Sequence, residues 1–460
     1  MKNYWNKQPN WYKTIFYVLS LALFLIWVLS IYLTAEGIYN PVQQEDSTEY
    51  ALLSQSLIDQ HSFSLGNGVP ETFRTPGYPF FTAIFSSVFG GSLQGVIFVQ
   101  ILLVLATALL IKRIAEIFFS ASVGYICSII FLINPFTLFL SVSIMSDILF
   151  IFLYMLFFWL ISEYLQKNIC LVSIFCGIIA GIAIYVRPMG FFAIPIFLLP
   201  VLVIKLSSKK IITSMLLILV IIIVALLPWM TRNYKLTGVF SFSSLPQYNI
   251  MAFNLPGFFA YQNGGTMKEY IQEAEIKTGI PITSWIHLDK QTTPILKNYI
   301  ITELHNNLFL YSKLYVLRTL SFFFSSDIET FINSVDILRK EQKSGFEVVV
   351  SSGGMYELLH GNIGSFVSRV TDHWQEFIER IFFCFLYLFL IYECFKKRRK
   401  TVIWVMVFII IYMAFLASPV GGARYRFPVE PFIFMIASAG FISFLKSYGL
   451  FFFKHSVDNN

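Results

Sequence analysis

The chain has 460 residues, of which 57% are hydrophobic and only 13% charged, and its mean hydropathy is +0.69. Soluble globular proteins carry about 25% charged residues, so a soluble globular protein is excluded and a polytopic membrane protein is indicated. The net charge of +7 resides in short basic clusters between apolar runs, which act as orientation signals before they act as binding sites, and nucleic acid is not implied.

Apolar runs long enough to cross a hydrocarbon core of ~30 Å as helix recur through both ends of the chain but not through its middle. The first, 14–34, follows Lys2, Lys7 and Lys13. It exceeds a signal-peptide apolar region and reads as an uncleaved anchor. The segment 35–92 then holds "EDSTEY", with Asp46, Glu49 and Tyr50, and "RTPGYPFF", with Arg74 and Tyr78, leading into an apolar stretch that stops at Gly90. That stretch, 78–90, is too short to span and is expected to lie in the outer interface as a juxtamembrane helix. Further spans are predicted at 93–111, 122–140, 148–165, 169–185, 190–206 and 211–229, and, after a long gap, at 376–395, 401–418 and 428–445. Within the gap, 306–324 is apolar but carries Lys313 and Arg318, which predicts a second juxtamembrane helix, and "SSGGMY" at 351–356 reads as a loop.

Basic clusters at the N-terminus, at Lys112 and Arg113, at Lys205, Lys209 and Lys210, and at 396–400 all belong in the cytoplasm by the positive-inside rule. The expected architecture is therefore all-α: about ten transmembrane helices, both termini inside, juxtamembrane helices outside, and one large outer loop region. Three parts follow: 1–229 with its first outer loop 35–92, an extracytoplasmic 230–375, and C-terminal helices in 376–460. The five cysteines, Cys127, Cys170, Cys176, Cys384 and Cys394, fall in or beside spans and form no disulfide or zinc spacing. The six histidines, His61, His287, His305, His360, His373 and His455, show no ligand spacing, there is no DxD pair, and no metal or cofactor is expected.

The charged residues that remain sort by side. Asp46, Glu49, Arg74, Asp147 in "SIMSDILF", Arg187 in "YVRPMG", Arg232 and Asn233 in "PWMTRNY", and Arg424, Tyr425 and Arg426 in "GGARYRFP" come from six distant segments, and all map to the outer face. Each has an ordinary reading: a single arginine at a helix end is an interface anchor, and Asp147 can cap its own helix. Their one-sided convergence points instead to a site that holds a phosphate with arginines and deprotonates a hydroxyl with a carboxylate.

In this order the segments resemble the integral-membrane glycosyltransferases of the GT-C class, in particular the branch of protein O-mannosyltransferases and the lipid A aminoarabinose transferase. The resemblance covers roughly residues 40 to 435 and rests on Asp46 with Tyr50, "RTPGYP" from Arg74, Ser-Asp at Asp147, Arg187-Pro, "PWMTRNY" and "RYRFPVEP". It implies inverting transfer of a sugar from a polyprenyl-phosphate donor to a hydroxyl of a glycan, lipid or protein, on the outer face of a cell membrane. The composition suggests a bacterial chain, which would make the lipid undecaprenyl. Asp46 matches the first-loop aspartate and is expected to be the general base, with Asp147 as the second acidic group. Arg74 and Arg187, followed by Arg424 and Arg426, are expected on the donor phosphate, with Glu49, Tyr50, Tyr78, Arg232, Asn233 and Tyr425 supporting. The alternatives are an O-antigen polymerase or ligase, which would use a polyprenyl-diphosphate sugar and does not need an acid-bearing loop directly after its first span, and, less favoured, a lipid-linked sugar flippase or transporter, which would place polar groups near the midplane and show repeats.

Overall fold

The computed structural model describes residues 10–35, 42, 45–65, 69–282, 287–326, 374–418 and 423–448. The expected loop at 351–356, and His360, His373 and His455, lie outside these residues. Among the described residues the chain is helical, with no strand. Ten helical segments fall where spans are predicted. Five helices have the length and apolarity to cross a bilayer, six when a bent pair is counted as one, and shorter apolar helices cover Thr14–Leu29, Ile194–Val203 and Thr401–Ala417.

The first helix, α1 (Asn10–Ala35), is followed by α2 (Glu45–Asp59) and α3 (Gly77–Val88), and α4 (Leu93–Phe118) opens on Ser92, whose hydroxyl accepts the Gln94 N–H at 3.1 Å. The span expected at 122–140 is two helices, α5 (Ala121–Ile133) and α6 (Pro135–Val142), bent by 58°. Asn134-Pro135 makes that bend: a residue before proline is driven out of helical geometry, and the Asn134 carboxamide caps the new helix by accepting the Phe136 N–H at 2.9 Å. Next come α7 (Asp147–Tyr164) and α8 (Ile169–Val186). The span expected at 190–206 is also broken, into α9 (Met189–Phe192), α10 (Ile194–Leu198) and a 3₁₀ turn at Leu199–Val203, because Pro195 and Pro200 each open a new segment.

The longest helix, α11 (Ser208–Thr237), runs eight residues past the predicted end at 229 and stops at Gly238, whose φ of +73° is left-handed. At about 45 Å it is longer than a hydrocarbon core, and its last turns carry Arg232 and Asn233 beyond the apolar zone. After α12 (Leu245–Asn249), helices α13 (Leu255–Asn263), α14 (Met267–Thr278) and α15 (Thr292–Asn306) build a small second core around Met251, Leu255, Ile282 and Leu296. Helix α16 (Leu308–Phe324) follows and covers the predicted juxtamembrane stretch. The chain closes with α17 (Trp374–Lys396), α18 (Thr401–Ala417), the one-turn α19 (Ala423–Arg426) and α20 (Glu430–Ser447). Helices α17 and α20 approach so closely that a Cβ on Gly440 would lie 2.0 Å from the Phe389 carbonyl oxygen, so glycine is what allows the contact.

Two charged groups sit at opposite ends of α7. At its C-terminal end Glu163 accepts from Arg113 at 3.3 Å, while Lys112 pairs with Glu116 at 2.6 Å and Lys400 donates to the Phe118 carbonyl at 3.3 Å. At its N-terminal end, about 24 Å away, stands Asp147.

Candidate active site

Asp147 opens α7, but its carboxylate does not cap its own helix. Oδ1 accepts from Nη1 of Arg187, and Oδ2 accepts from Nε and Nη2 of Arg424 at 3.3 and 3.2 Å. Arg187 ends α8, where the following Pro188 holds it in extended backbone, so its side chain turns off the helix toward α7. Arg424 comes from α19 and also reaches Asp46 in the first turn of α2, Nη1 to Oδ2 at 2.6 Å. The other oxygen of Asp46 accepts from Nη2 of Arg74, whose Nε donates to Glu49 at 2.5 Å. Glu49, Arg74, Asp46, Arg424, Asp147 and Arg187 thus form one alternating string of six charges drawn from five separate segments.

Arg74 is aimed by the segment before it. Oε1 of the buried Glu71 accepts the N–H groups of Phe73 and, at 3.0 Å, of Arg74. The Ser243 hydroxyl donates to the Phe73 carbonyl at 2.6 Å, the Leu288 N–H to the Thr72 hydroxyl at 2.9 Å, and the Arg232 guanidinium to the Glu71 carbonyl at 2.6 Å. Immediately after this clamp, Gly77 lets α3 touch the end of α8: a Cβ there would sit 2.5 Å from the Tyr185 carbonyl carbon and 2.6 Å from the Val186 nitrogen. The "PG" of "RTPGYP" therefore fixes the distance between the elements that carry Arg74 and Arg187. The Arg74 guanidinium also packs 5.4 Å from the Tyr50 ring centroid and 5.1 Å from that of Phe73.

The string is sealed on one side and open on the other. Side-chain exposure is 0% for Asp147 and 8% for both Arg74 and Glu49, but 23% for Asp46 and 30% for Arg424, so a ligand meets Asp46 and Arg424 first. Burial would raise the Asp46 carboxyl, yet the charges and hydrogen bonds of Arg74 and Arg424 outweigh it and hold the group well below the usual carboxylate range. Glu49 goes the other way: burial outweighs Arg74, with Asp46 and Glu71 adding repulsion, and pushes it up to about 7. Tyr425 lies within electrostatic reach of Arg187, Arg424, Asp46 and Asp147. Among the described residues no three histidine, cysteine or acidic side chains gather as metal ligands.

Four residues expected at the site stand apart from the string. Arg426 points the other way, 1% exposed, and is saturated: it donates to Glu430 at 2.9 Å, to Glu379 at 3.5 Å and to the Ser325 carbonyl at 2.9 Å, under the Phe383 ring at 3.7 Å. Asn134, at the α5–α6 bend, donates to the other Glu430 oxygen at 2.6 Å. Arg232 stacks on Trp229 at 4.5 Å and Asn233 donates to the Ser241 and Phe242 carbonyls at 3.0 and 3.2 Å, so both hold the segments that clamp Arg74. Tyr78 is buried beneath Tyr50, ring centroids 4.7 Å apart, and donates to Gln100 at 2.5 Å. Glu71, Gln100 and Ser146, which accepts from Tyr50 at 3.3 Å, were not singled out by the sequence, because a single buried polar side chain that accepts a hydrogen bond has no pattern of its own.

Comparison with known proteins bears on the family and the fold. Residues 73–231 match the family described as dolichyl-phosphate-mannose-protein mannosyltransferase, a stretch that contains Arg74, Asp147 and Arg187. The fold is similar to an oligosaccharyltransferase of Archaeoglobus fulgidus in the apo form, with a TM-score of 0.53 at 12% identity over 97% of this chain and 52% of that one. It is similar as well to the oligosaccharyltransferase AglB from Archaeoglobus fulgidus in complex with an inhibitory peptide and a dolichol-phosphate, with a TM-score of 0.51 at 12% identity over 98% of this chain and 52% of that one. A looser superposition, TM-score 0.40 at 14% identity over 94% of this chain and 77% of that one, relates it to ArnT from Cupriavidus metallidurans bound to undecaprenyl phosphate. The chain spans about half the length of the two oligosaccharyltransferase structures. No curated protein sequence matches it. Fold and family match together give the architecture of a GT-C class membrane glycosyltransferase.

Proposed function

We propose that the protein moves a sugar from a polyprenyl-phosphate-linked donor to a hydroxyl acceptor, with inversion, on the outer face of the membrane. The observation that carries this reading is the alternating string in which Asp46 and Asp147 bridge three arginines from three distant segments. The leaving group is a lipid phosphate whose growing negative charge needs stabilisation without protonation, which planar, permanently charged guanidinium groups supply. Arg424 lies at the open rim and Arg74 and Arg187 behind it. A phosphate entering there shares Arg74 and Arg424 with Asp46, and the weaker hold of those cations restores part of the proton affinity that they suppress. Asp46 then takes the hydroxyl proton as the acceptor oxygen attacks the anomeric carbon from the face opposite the phosphate. The carbon–oxygen bond to phosphate breaks, and polyprenyl phosphate leaves with its electron pair.

The outer location is supported by the basic groups Lys112, Arg113 and Lys400, gathered at the far end of α7 from Asp147, since basic loops face the cytoplasm. The apolar, exposed faces of α3 and α16, with Phe80, Ile84 and Val88 on one and Leu308, Phe309 and Val316 on the other, suit a border where a lipid chain stays in the bilayer while its head group reaches the arginines. The composition favours undecaprenyl as the lipid. The test is incubation of purified protein in membranes with a panel of polyprenyl-phosphate sugars and, separately, polyprenyl-diphosphate sugars. Release of polyprenyl phosphate with the monophosphate donors is expected; turnover of diphosphate donors alone would contradict the reading.

A further inference from the structure

The site has three guanidinium groups, Arg74, Arg187 and Arg424, interlocked with three carboxylates, Asp46, Glu49 and Asp147. Its charges therefore balance before any ligand arrives. Behind it, Glu71 has its own cation nearby in Arg232, bound to the same residue's carbonyl. On the donor reading proposed above, on which this inference rests, the substrate is a phosphodiester that brings one further negative charge into a site most of whose side chains are below one tenth exposed. An uncompensated buried charge is strongly unfavourable. One carboxylate has to become neutral as the lipid binds.

The hydrogen bonds select which one. Asp46 bridges Arg74 and Arg424 with both oxygens, and Asp147 bridges Arg187 and Arg424 in the same way. Glu49 pairs, among the described residues, with the single nitrogen Nε of Arg74. The groups that face it are Arg74 and Glu71 from the segment before α3 and Asp46 and Tyr50 from its own helix, so its remaining charged neighbours are like charges. Burial raises its proton affinity above that of an ordinary carboxylate, which agrees with this placement. We propose that Glu49 is the carboxylate that the donor phosphate displaces from Arg74, and that it takes up one proton in doing so. With Glu49 neutral, the bound phosphodiester restores the balance of three positive and three negative charges. When Asp46 later accepts the hydroxyl proton and the phosphate leaves as a dianion, the count is again even. Every step of the proposed reaction is then electroneutral within the site.

The probe is methyl undecaprenyl phosphodiester, which carries one charge and does not titrate between pH 6 and 9. Its binding to the full-length protein in nanodiscs is measured by calorimetry across that range, in two buffers of different ionisation enthalpy. Uptake of one proton per bound lipid at pH 8 is expected, with affinity falling about tenfold per pH unit above 7. Glu49→Gln is expected to bind without pH dependence and, at pH 9, about 10²-fold more tightly than the unaltered protein. The buffer comparison on the unaltered protein needs no variant to fold. Binding with no proton uptake, or a slope that survives in Glu49→Gln, would overturn the role of Glu49 while leaving the donor reading in place. No binding at any pH by the unaltered protein would overturn both.

Discussion

Arg424 and Arg426 stand two residues apart on one helical turn and do opposite work. Successive residues of a helix are rotated by about 100°, so a spacing of two sends their side chains to nearly opposite sides. Arg424 faces out, 30% exposed, and among the described residues is held by two carboxylates, Asp46 and Asp147. Arg426 faces in, 1% exposed, and is held by two carboxylates, main-chain carbonyls of the α16 end and an aromatic lid. An arginine whose partners are charged and partly solvated can exchange them for a phosphate. One enclosed by carbonyls and a ring cannot, and instead ties α16, α17, α20 and, through Glu430 and Asn134, the α5–α6 bend into one unit.

The comparison can be broken by substitution at each end. Asp46→Asn, which keeps shape and removes the base, is expected to lower the transfer rate by roughly 10²- to 10⁴-fold with unchanged folded yield; retention of most activity in a membrane assay would remove Asp46 from the role of base. Next in size, Arg426→Ala leaves Glu430 and Glu379 buried without their cation and is expected to destabilise by about 3–5 kcal/mol, read as a lower midpoint of thermal unfolding in detergent. Arg424→Ala, at the open rim, should lower that midpoint less than Arg426→Ala does and should lose turnover; the reverse pattern would exchange the two roles. Gly77→Val sharpens the argument for the α3–α8 contact: it forces the backbone around Tyr185 and Val186 to yield, and a displacement of about 1 Å between Arg74 and Arg187 is expected to lower turnover by roughly 10²-fold while the protein still folds. Activity unchanged in Gly77→Val would mean that the close approach does not set the geometry of the arginines.

Much of this arrangement is legible in the sequence, and the limits have physical causes. Apolar length locates ten helical segments, and one-sided placement of charges brings Asp46, Arg74, Asp147, Arg187 and Arg424 to one end of the bundle. The breaks at Asn134-Pro135 and in 189–203 are written in the prolines, yet run length alone reads each as a single span. The direction of a side chain within a short turn has no hydrophobic period to reveal it, so Arg426 looks like Arg424. Arg232 and Asn233 look like site residues because α11 carries them past the apolar zone, whereas they act on the clamp around Glu71, Phe73 and Ser241. Glu71 escapes notice because capping two amide groups in an irregular segment leaves no spacing to detect.

On this mechanism a lipid phosphate sits among Arg74, Arg187 and Arg424, beside Asp46. A cryo-electron microscopy structure of the full-length protein in nanodiscs with bound undecaprenyl phosphate tests it most directly. Phosphate density contacting these three guanidinium groups is expected, with the isoprenoid chain leaving into the bilayer and the Arg74–Glu49 pair opened. Density at the Lys112–Arg113 end of the bundle, or a phosphate bound with the Asp46–Arg424 and Asp147–Arg424 bridges intact, would contradict it.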